Sequence, residues 1–369
     1  LLNDLVAKAK ASGRGALAGG DVFRLYDTYG FPTDLIAEAC REHGIVMDEV
    51  GFQQAIDEQR TRARKSAAFE AEETNPVLSD LAARLPASQF VGYERLQTDS
   101  LVQAILKGDQ LVKEAGEGDG VEVVLDVTPF YPEGGGQVGD HGLLLGPEGR
   151  LEVTETSRPL PTMIAHKGTV RSGVLREGDR LQAQVQVNNR LDAARNHTAT
   201  HLVHAALREL LGPHVKQYGS LVAPNRLRFD FAHFKPLSSR DIEAVEMMVN
   251  EQIRLNEAVK TQIMGIQDAV AAGALAFFGD KYGEQVRVVS IDTFSKELCG
   301  GTHCRQTGEI GLFRIVSETG VAAGVRRLEA QTGVGALAAI KRLEADIREL
   351  AEVLKVGPVE IVGRTKKLA

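Results

Sequence analysis

The chain has 369 residues, with 43 Lys plus Arg against 50 Asp plus Glu, which gives a formal net charge of −7 at pH 7. This length exceeds one typical domain, so two or three domains are expected. The hydrophobic fraction of 43% and the charged fraction of 25% are those of a globular protein and exclude a disordered chain. No apolar run is long enough to span a bilayer, no signal-peptide pattern is present, and three distant cysteines cannot form a disulfide framework. We therefore predict a cytoplasmic protein without membrane contact.

Residues 1–72 are predicted to form a helical module. Apolar side chains recur at helical spacing in Asp21–Tyr29, and Gly30 followed by Pro32 ends that helix. A basic run near the end of the module consists of Arg60, Arg62, Arg64 and Lys65. Such charges indicate either a solvated helix face or contacts with phosphates, because local patches rather than net charge determine nucleic-acid binding. The chain starts with Leu1 in a helical pattern, so we expect a segment of a longer protein.

The hydrophobic period changes after a predicted linker at residues 73–86. From 87 to 187, short segments rich in Val, Leu and Ile alternate with Gly, Pro and Asp at a spacing of roughly 8–12 residues, which predicts a small antiparallel β-barrel. The segment Tyr131–Asp140 contains three consecutive glycines, but it lacks the spacing of a P-loop or of a dinucleotide-binding fingerprint. A tight loop between strands is the simpler interpretation of these glycines.

Residues 188–333 alternate helical and strand patterns, so the fold class is α+β with several domains. The first helix is predicted at 188–211, where Ala, Leu and Arg dominate and Gly and Pro are absent. Residues 334–369 are predicted to be a truncated coiled-coil helix, because apolar residues recur at alternating spacings of three and four. These residues are Ile340, Leu343, Ile347, Leu350 and Leu354.

Two clusters of histidine and cysteine predict a metal site. His197 and His201 lie four residues apart in the first helix, so their imidazoles share one face and can bind one ion. Farther downstream, Cys299 and His303 flank a Gly-Gly-Thr turn. Imidazole nitrogens together with a thiolate form the borderline-soft ligand set that selects zinc. We predict one Zn²⁺ per chain, bound by these four residues.

Each cluster also has a simpler interpretation. A histidine pair on a helix is often a packed or surface pair, and a Gly-Gly turn is ordinary loop chemistry. His204 lies on the same helix face as His201 and is an alternative to His197 as a ligand. Cys304 directly follows His303, points elsewhere and is expected to be structural. Cys299 could also act as a nucleophile with His303 as its base, but the nearby histidine pair favours thiolate–zinc ligation.

Four motifs together resemble the editing domain of alanyl-tRNA synthetases: HTATHLVHAALRELLG (197–212), CGGTH (299–303), TPFYPEGGGQVGD (128–140) and GVRRLEA (324–330). The upstream FRLYDTYGFPTDL (23–35) resembles the end of the tRNA-recognition region of that family. The motifs are long, they occur in the family's order, and the resemblance covers nearly the whole chain. It implies that 188–333 is a zinc-binding editing domain with a fold shared by the editing region of threonyl-tRNA synthetase. It also implies that the Gly-rich loop faces the editing cleft and helps to place the end of the tRNA.

The resemblance implies hydrolysis of the ester that joins serine or glycine to the alanine tRNA. A pocket shaped for alanine rejects glycine poorly, since one methyl group contributes only about 1–3 kcal/mol, and a second hydrolytic site is the usual remedy. Thr200 and Gln217 match family residues of this pocket, and either could also be a plain polar residue. Asp27 matches an aspartate that helps to read the acceptor stem. Arg326 and Arg327 are candidates for tRNA phosphate contacts or, alternatively, for surface salt bridges.

The expected partner is tRNA(Ala), through its acceptor stem and its aminoacylated 3′ end. Self-association through the C-terminal region of the full-length protein is a further expectation from the resemblance. ATP and Mg²⁺ would serve only a ligation domain, whose motifs this sequence lacks, so we do not expect ATP-dependent ligation.

The chemistry of four ligands leaves alternatives open. Closed tetrahedral zinc sites are usually structural, whereas catalytic sites keep one position open. Zinc could therefore activate a water or anchor the amino group or hydroxyl of the substrate. The chain could also be a non-catalytic, zinc-stabilised tRNA-binding module. A free-standing editing protein is disfavoured by FRLYDTYGFPTDL, because small stand-alone relatives lack that helical module.

Overall fold

The computed structural model describes residues 2–11, 15–27, 33–56, 76–275, 284–322 and 324–368. The predicted basic run at Arg60, Arg62, Arg64 and Lys65 lies outside the described residues. The N-terminal module contains helices α1 (Leu2–Ala11), α2 (Gly19–Asp27) and α3 (Thr33–Glu42), and residues 49–56 are also helical. Val6, Leu25 and Ile36 are fully buried in its core. A short parallel pair, β1 (Ala16–Leu17) with β2 (Val46–Met47), joins these helices and was not predicted.

The predicted β-barrel is confirmed as a closed ring of six antiparallel strands. The strands of this region are β3 (Gln89–Phe90), β4 (Gln97–Lys107), β5 (Gln110–Val112), β6 (Glu114–Gly116), β7 (Gly120–Leu125), β8 (Val127–Thr128), β9 (Gly142–Leu145), β10 (Gly149–Leu160), β11 (Met163–Arg176) and β12 (Arg180–Val185). The order β10-β9-β12-β4-β7-β11 closes because β11 pairs again with β10. Alternating side chains such as Ile105, Val123 and Leu151 point inward and are fully buried.

Part of the predicted linker is a helix, α4 (Pro76–Arg84). Pro76 occupies its first position, where a missing N–H costs no helical hydrogen bond. Leu81 is buried against Met163 and Leu106 on the outside of the barrel. The segment is therefore a helix that packs on the barrel through apolar contacts. Its Thr-Asn-Pro start is typical of a turn and did not indicate this helix.

A neutral histidine stabilises the barrel wall. His166 on β11 is fully buried, and burial lowers its pKa to about 4. Its Nδ1 lies 2.9 Å from the carbonyl oxygen of Val123, so Nδ1–H donates there. Nε2 accepts the hydroxyl of Thr128 at 2.7 Å, and the backbone N–H of Phe130 donates to that same hydroxyl oxygen. These bonds tie β11 to the strands that precede the Gly-rich segment.

The remaining chain folds as an α+β unit with two sheets. Its elements are α5 (Val187–Leu211), β13 (Gln217–Ala223), β14 (Arg226–Ala232), α6 (Ser239–Leu255), β15 (Val259–Gly265), α7 (Ile266–Ala271), β16 (Gln285–Ile291), β17 (Ser295–Leu298), β18 (Phe313–Ala322), β19 (Val325–Thr332), α8 (Gly333–Leu354) and α9 (Ile361–Leu368). The sheets have strand orders β13-β14-β19-β18 and β15-β16-β17. Leu202 and Val203 of α5 pack with Phe229 and Leu328 of the larger sheet in one core.

Helix α6 begins with a reciprocal capping interaction. Ser238 is the N-cap, and its hydroxyl accepts from the backbone N–H of Asp241 while the Asp241 carboxylate accepts from the backbone N–H of Ser238. This reciprocal pair satisfies donors that a helix start leaves open. Among the residues that the structure describes, no helix combines the length and the apolarity needed to cross a lipid bilayer.

Candidate metal centre

The barrel and helix α5 are joined almost directly. β12 ends at Val185 and α5 begins at Val187, so Gln186 is the only connecting residue. In the first turn of α5, Arg190 forms a buried ion pair with Asp140, which ends the Gly-rich segment. Arg190 also donates to the carbonyl oxygens of Gly92 at 2.6 Å and Pro129 at 2.7 Å. The barrel therefore fixes the origin of the helix that carries the histidine pair.

The structure brings the four predicted ligands together. The ligand atoms of His197, His201, Cys299 and His303 all lie within 4.8 Å of one another. Sγ of Cys299 lies 3.3 Å from Nε2 of His197 and 3.3 Å from Nε2 of His303. Zinc bonds of about 2.0–2.3 Å in a tetrahedron give ligand separations of roughly 3.3–3.6 Å. One face of α5 and the turn after β17 thus meet at a spacing suited to one zinc ion.

An oxygen atom lies near the outer nitrogen of each imidazole. Nδ1 of His197 lies 2.8 Å from Oε1 of Gln137, and Nδ1 of His201 lies 3.0 Å from Oε2 of Glu297. Nδ1 of His303 lies 3.3 Å from the hydroxyl oxygen of Thr198. Metal-binding histidines usually carry such a partner, which sets the tautomer and directs the other nitrogen to the ion. The donor set therefore fits zinc in its chemistry as well as in its spacing.

The electrostatics favour the metal-binding forms of Cys299 and His303. Burial would raise the pKa of Cys299, but His197 and His303 outweigh it and hold that pKa well below its usual value, so the thiolate is favoured. Burial lowers the pKa of His303 to about 3, which keeps its imidazole neutral. Burial opposes protonation of His201, and the carboxylate of Glu297 nevertheless raises the pKa of His201. The raised pKa favours the protonated ring, so a bound metal ion would displace one proton from His201.

The glycines of the downstream turn permit this close packing. A Cβ at Gly301 would lie 2.0 Å from Cε1 of His197 and 3.0 Å from Oε1 of Gln137. Such distances are well inside van der Waals contact, so no larger residue fits without moving the histidine. Arg287 holds the same turn from outside by donating to the carbonyl oxygens of Cys299 at 2.8 Å and Gly301 at 2.9 Å.

His197, His201 and Cys299 line a cleft of about 850 Å³ between the barrel loop and the α+β unit, and His303 lines a neighbouring cavity. Thr200 and Gln217, the two predicted pocket residues, both line this cleft. The hydroxyl of Thr200 donates to the carbonyl oxygen of Asn196 at 2.8 Å, which leaves its lone pairs available as acceptors. The amide of Gln217 donates to the hydroxyl of Ser220 at 3.2 Å.

The mouth of the cleft is aromatic and basic. Phe90, Tyr93 and Tyr131 form a cluster with ring centroids 4.9 and 6.0 Å apart. The guanidinium of Arg287 lies over the ring of Tyr93 at 4.3 Å, and Arg158 also lines the cleft. Aromatic rings beside cations suit the bases and phosphates of a single-stranded nucleic acid.

Several other predicted residues lie apart from the centre. His204 is not among the four clustered residues. Its Nδ1 lies 2.7 Å from Oε1 of Glu297, and its ring packs against Phe229. Arg326 pairs with Glu318, and Arg327 pairs with Asp230 through two bonds of 2.7 Å. These two arginines thus take the alternative role of ion pairs within the sheet. Asp27 is the last residue of α2. Cys304 is buried, as expected for a structural cysteine.

Sequence reasoning did not identify Gln137 and Glu297 as parts of this site. For Glu297 a signal existed, since it stands two residues before Cys299 in a strand, where alternate residues share a face. For Gln137 the sequence offers only its place after three glycines, because the contact spans 60 residues.

Sequence profiles of two families match the chain. The profile described as tRNA synthetases class II (A) matches residues 1–189, and that of the threonyl and alanyl tRNA synthetase second additional domain matches residues 286–329. The first match includes the barrel, and the second contains the Cys299–His303 turn. The fold and these matches define a class II tRNA synthetase with an editing-type additional domain.

Curated relatives specify the family within this class. The alanine–tRNA ligase of Stenotrophomonas maltophilia is 48% identical over 369 residues, which are 100% of this chain and 41% of the relative. That of Thermus thermophilus is 50% identical over 361 residues, which are 95% of this chain and 41% of the relative. The chain thus spans about two fifths of the length of these relatives. It belongs to the alanyl-tRNA synthetase family, as its motifs indicated.

Proposed function

We propose that this chain is the editing part of an alanine–tRNA ligase and hydrolyses serine or glycine from mischarged tRNA(Ala). The observation that carries the proposal is the convergence of three histidines and one cysteine, of which His197, His201 and Cys299 line the same cleft as Thr200 and Gln217. In the reaction the ester bond between the amino acid and the terminal ribose breaks. Water adds its hydroxyl to the acyl carbon and its proton ends on the ribose oxygen.

We propose that His197, His201, Cys299 and His303 hold one Zn²⁺. When bound, zinc supplies a Lewis acid that can polarise water or bind the amino group or hydroxyl of the substrate. Gln137, Glu297 and Thr198 orient the rings from outside. The thiolate of Cys299 lowers the positive charge of the centre and is enclosed by the histidines, so it serves as a ligand rather than as a nucleophile.

Thr200 and Gln217 are proposed to distinguish serine from alanine. Since the Thr200 hydroxyl already donates to Asn196, it can accept a hydrogen bond from the serine hydroxyl. Alanine has no hydroxyl and would leave this acceptor site of the buried Thr200 hydroxyl without a donor, which costs more than a missing methyl group. Thr200 is 5% exposed, so this penalty acts largely without water.

The aromatic and basic mouth is proposed to hold the 3′ end of tRNA(Ala). Arg158 and Arg287 can neutralise phosphates, and Tyr93, which is 49% exposed, offers a surface on which a base can stack. The resemblance assigns acceptor-stem contact to Asp27 and adds the basic run 60–65 and Arg326 with Arg327 as further candidates. For the last two, the ion pairs with Glu318 and Asp230 favour a structural role.

We propose the following division of the chain: a tRNA-recognition module at 1–72, a linker at 73–86 that includes the packed helix α4, the barrel at 87–187, the editing domain at 188–333 and a coiled-coil segment at 334–369, in which the helix is interrupted between α8 and α9. The coiled coil is supported by α8, where Leu343, Ile347 and Leu350 are each about half exposed. Self-association of the full-length protein through its C-terminal region remains an expectation from the resemblance.

Deacylation of seryl-tRNA(Ala) by this chain tests the proposal directly. We expect rapid release of serine, much slower release of alanine from alanyl-tRNA(Ala), and loss of serine release in the Cys299→Ala variant. Lys107→Ala, at an exposed position at the end of β4 and outside the residues that line the cleft, is the control and should deacylate normally. Zinc-loaded, folded protein that releases no serine above background would contradict the proposal.

A non-catalytic, zinc-stabilised tRNA-binding module is the second candidate. One observation favours it, since four clustered protein ligands would fill all positions of a tetrahedral zinc site, and closed zinc sites are usually structural. In that case tRNA would bind and serine would not be released. The deacylation assay therefore separates the two functions, whereas metal content does not.

A further inference from the structure

Gln137 of the Gly-rich barrel segment is fully buried, although it is polar. Its side chain reaches out of the barrel into the turn that carries Cys299 and His303. Oε1 accepts the backbone N–H of Thr302 at 2.9 Å, and Nε2 donates to the hydroxyl of Thr302 at 2.9 Å. The same Oε1 lies 2.8 Å from Nδ1 of His197. All the polar atoms of this amide are thus directed at the metal centre.

These contacts determine the tautomer of His197. A backbone N–H can only donate, so the amide atom beside Thr302 must be the oxygen. Because that oxygen also lies beside Nδ1 of His197, Nδ1 must carry the proton. Nε2 then has a free lone pair, and it is the nitrogen that faces Sγ of Cys299 at 3.3 Å.

The three glycines before Gln137 explain how a barrel loop reaches this position. Gly135 and Gly136 have positive φ angles of 58° and 82°, which favour glycine. A Cβ at Gly136 would lie 2.3 Å from the hydroxyl oxygen of Ser220. The loop is pinned to β13 on both sides of Gln137, since Val222 N–H donates to Gly136 and Val138 N–H donates to Val222, at 2.7 and 3.0 Å.

We propose that Gln137 is a positioning residue for the metal, which holds His197 in the Nδ1–H tautomer and clamps the Cys299–His303 turn through Thr302. The metal centre is then a composite of two units, with ligands from the α+β unit and one orienting residue from the barrel. This proposal rests on the proposed zinc site, and it assigns the Gly-rich segment a role in building that site.

Zinc affinity of three full-chain variants tests this role, measured by competition with a chromophoric chelator. Gln137→Met removes the acceptor at nearly constant volume, and we expect affinity to fall about 10–100-fold, as is usual when an orienting partner is lost. Gln137→Glu keeps an oxygen for both donors, and we expect affinity close to that of the unmodified protein. Gln110→Ala, on an exposed barrel strand, is the matched control and should bind normally.

Co²⁺ substitution provides a readout that a general loss of stability would not change. Gln137→Met should shift the visible absorption of the bound Co²⁺, because His197 is free to rotate, while Gln137→Glu should retain the original spectrum. Unchanged zinc affinity and an unchanged Co²⁺ spectrum in a folded Gln137→Met variant would overturn the proposal, as would equal losses in Gln137→Met and Gln137→Glu. Unmodified protein that binds zinc but releases no serine would refute the hydrolysis alone, and the affinities would still decide the role of Gln137.

Discussion

The buried ion pair between Arg190 and Asp140 gives a quantitative test of how the barrel is fixed to α5. Both side chains are nearly inaccessible, at 3% and 5% exposure. Arg190→Met keeps the approximate bulk of the side chain but removes the charge that pairs with Asp140. The Asp140 carboxylate still accepts the backbone N–H of Tyr131, whereas the carbonyl oxygens of Gly92 and Pro129 lose their arginine donors. Leaving one charge of a buried pair without its partner costs about 3–5 kcal/mol.

Urea unfolding followed by far-UV circular dichroism and tyrosine fluorescence measures this loss, since the chain contains no Trp. With a denaturant slope of about 2 kcal/mol per molar, the unfolding midpoint of Arg190→Met should fall by about 1.5–2.5 M. Arg176→Met, which removes an exposed arginine paired with Glu148, should leave the midpoint unchanged. The double variant Arg190→Met with Asp140→Leu should recover much of the loss, because no buried charge remains. If the midpoint of Arg190→Met falls by less than about 0.5 M, this account of the domain junction is refuted.

Three further predictions concern the metal site and the barrel. Gly301→Ala should reduce zinc affinity at least as strongly as Gln137→Met, because the added Cβ would displace His197; wild-type affinity in a chelator competition would contradict this. Zinc at about 100 times its dissociation constant should stabilise the folded chain by about 2.7 kcal/mol, seen as a higher thermal midpoint that Cys299→Ala does not show. His166 has a pKa of about 4 when folded against 6.5 when exposed, so the unfolded chain binds the proton more readily. The contribution of neutral His166 to the free energy of unfolding is therefore fully present above pH 6.5. It falls as the pH drops toward 4, by up to about 3 kcal/mol. In His166→Gln the thermal unfolding midpoint should change less between pH 7 and pH 4.5 than in the unmodified protein. An unchanged pH dependence would contradict this role of His166.

The sequence predicted those parts of the fold whose signals are local. The barrel follows from short alternating segments, and α5 follows from a composition rich in Ala, Leu and Arg. Helix α4 was missed because its apolar face is short and only its contact with the barrel stabilises it. The parallel pair β1 with β2 was missed for the same reason, since a two-residue strand has no period to detect.

The candidate site divides in the same way. His197 with His201, and Cys299 with His303, are each close in sequence, so their spacing alone suggested ligands. Their orienting partners are distant: Gln137 contacts His197 across 60 residues and Thr302 across 165. Such contacts depend on how the domains pack, and no spacing rule in one sequence encodes that packing.

The separation between the two halves of the cluster also sets an order of assembly. Cys299 follows His197 by 102 residues. At a synthesis rate of about 5–20 residues per second, the ribosome needs roughly 5–20 seconds to progress from one to the other. The barrel, Gln137 and the histidine helix are therefore complete while the thiolate that unites the cluster has yet to be translated. The metal centre is among the last features of this part of the chain to form, and metal retention can serve as a marker that folding of the α+β unit has finished.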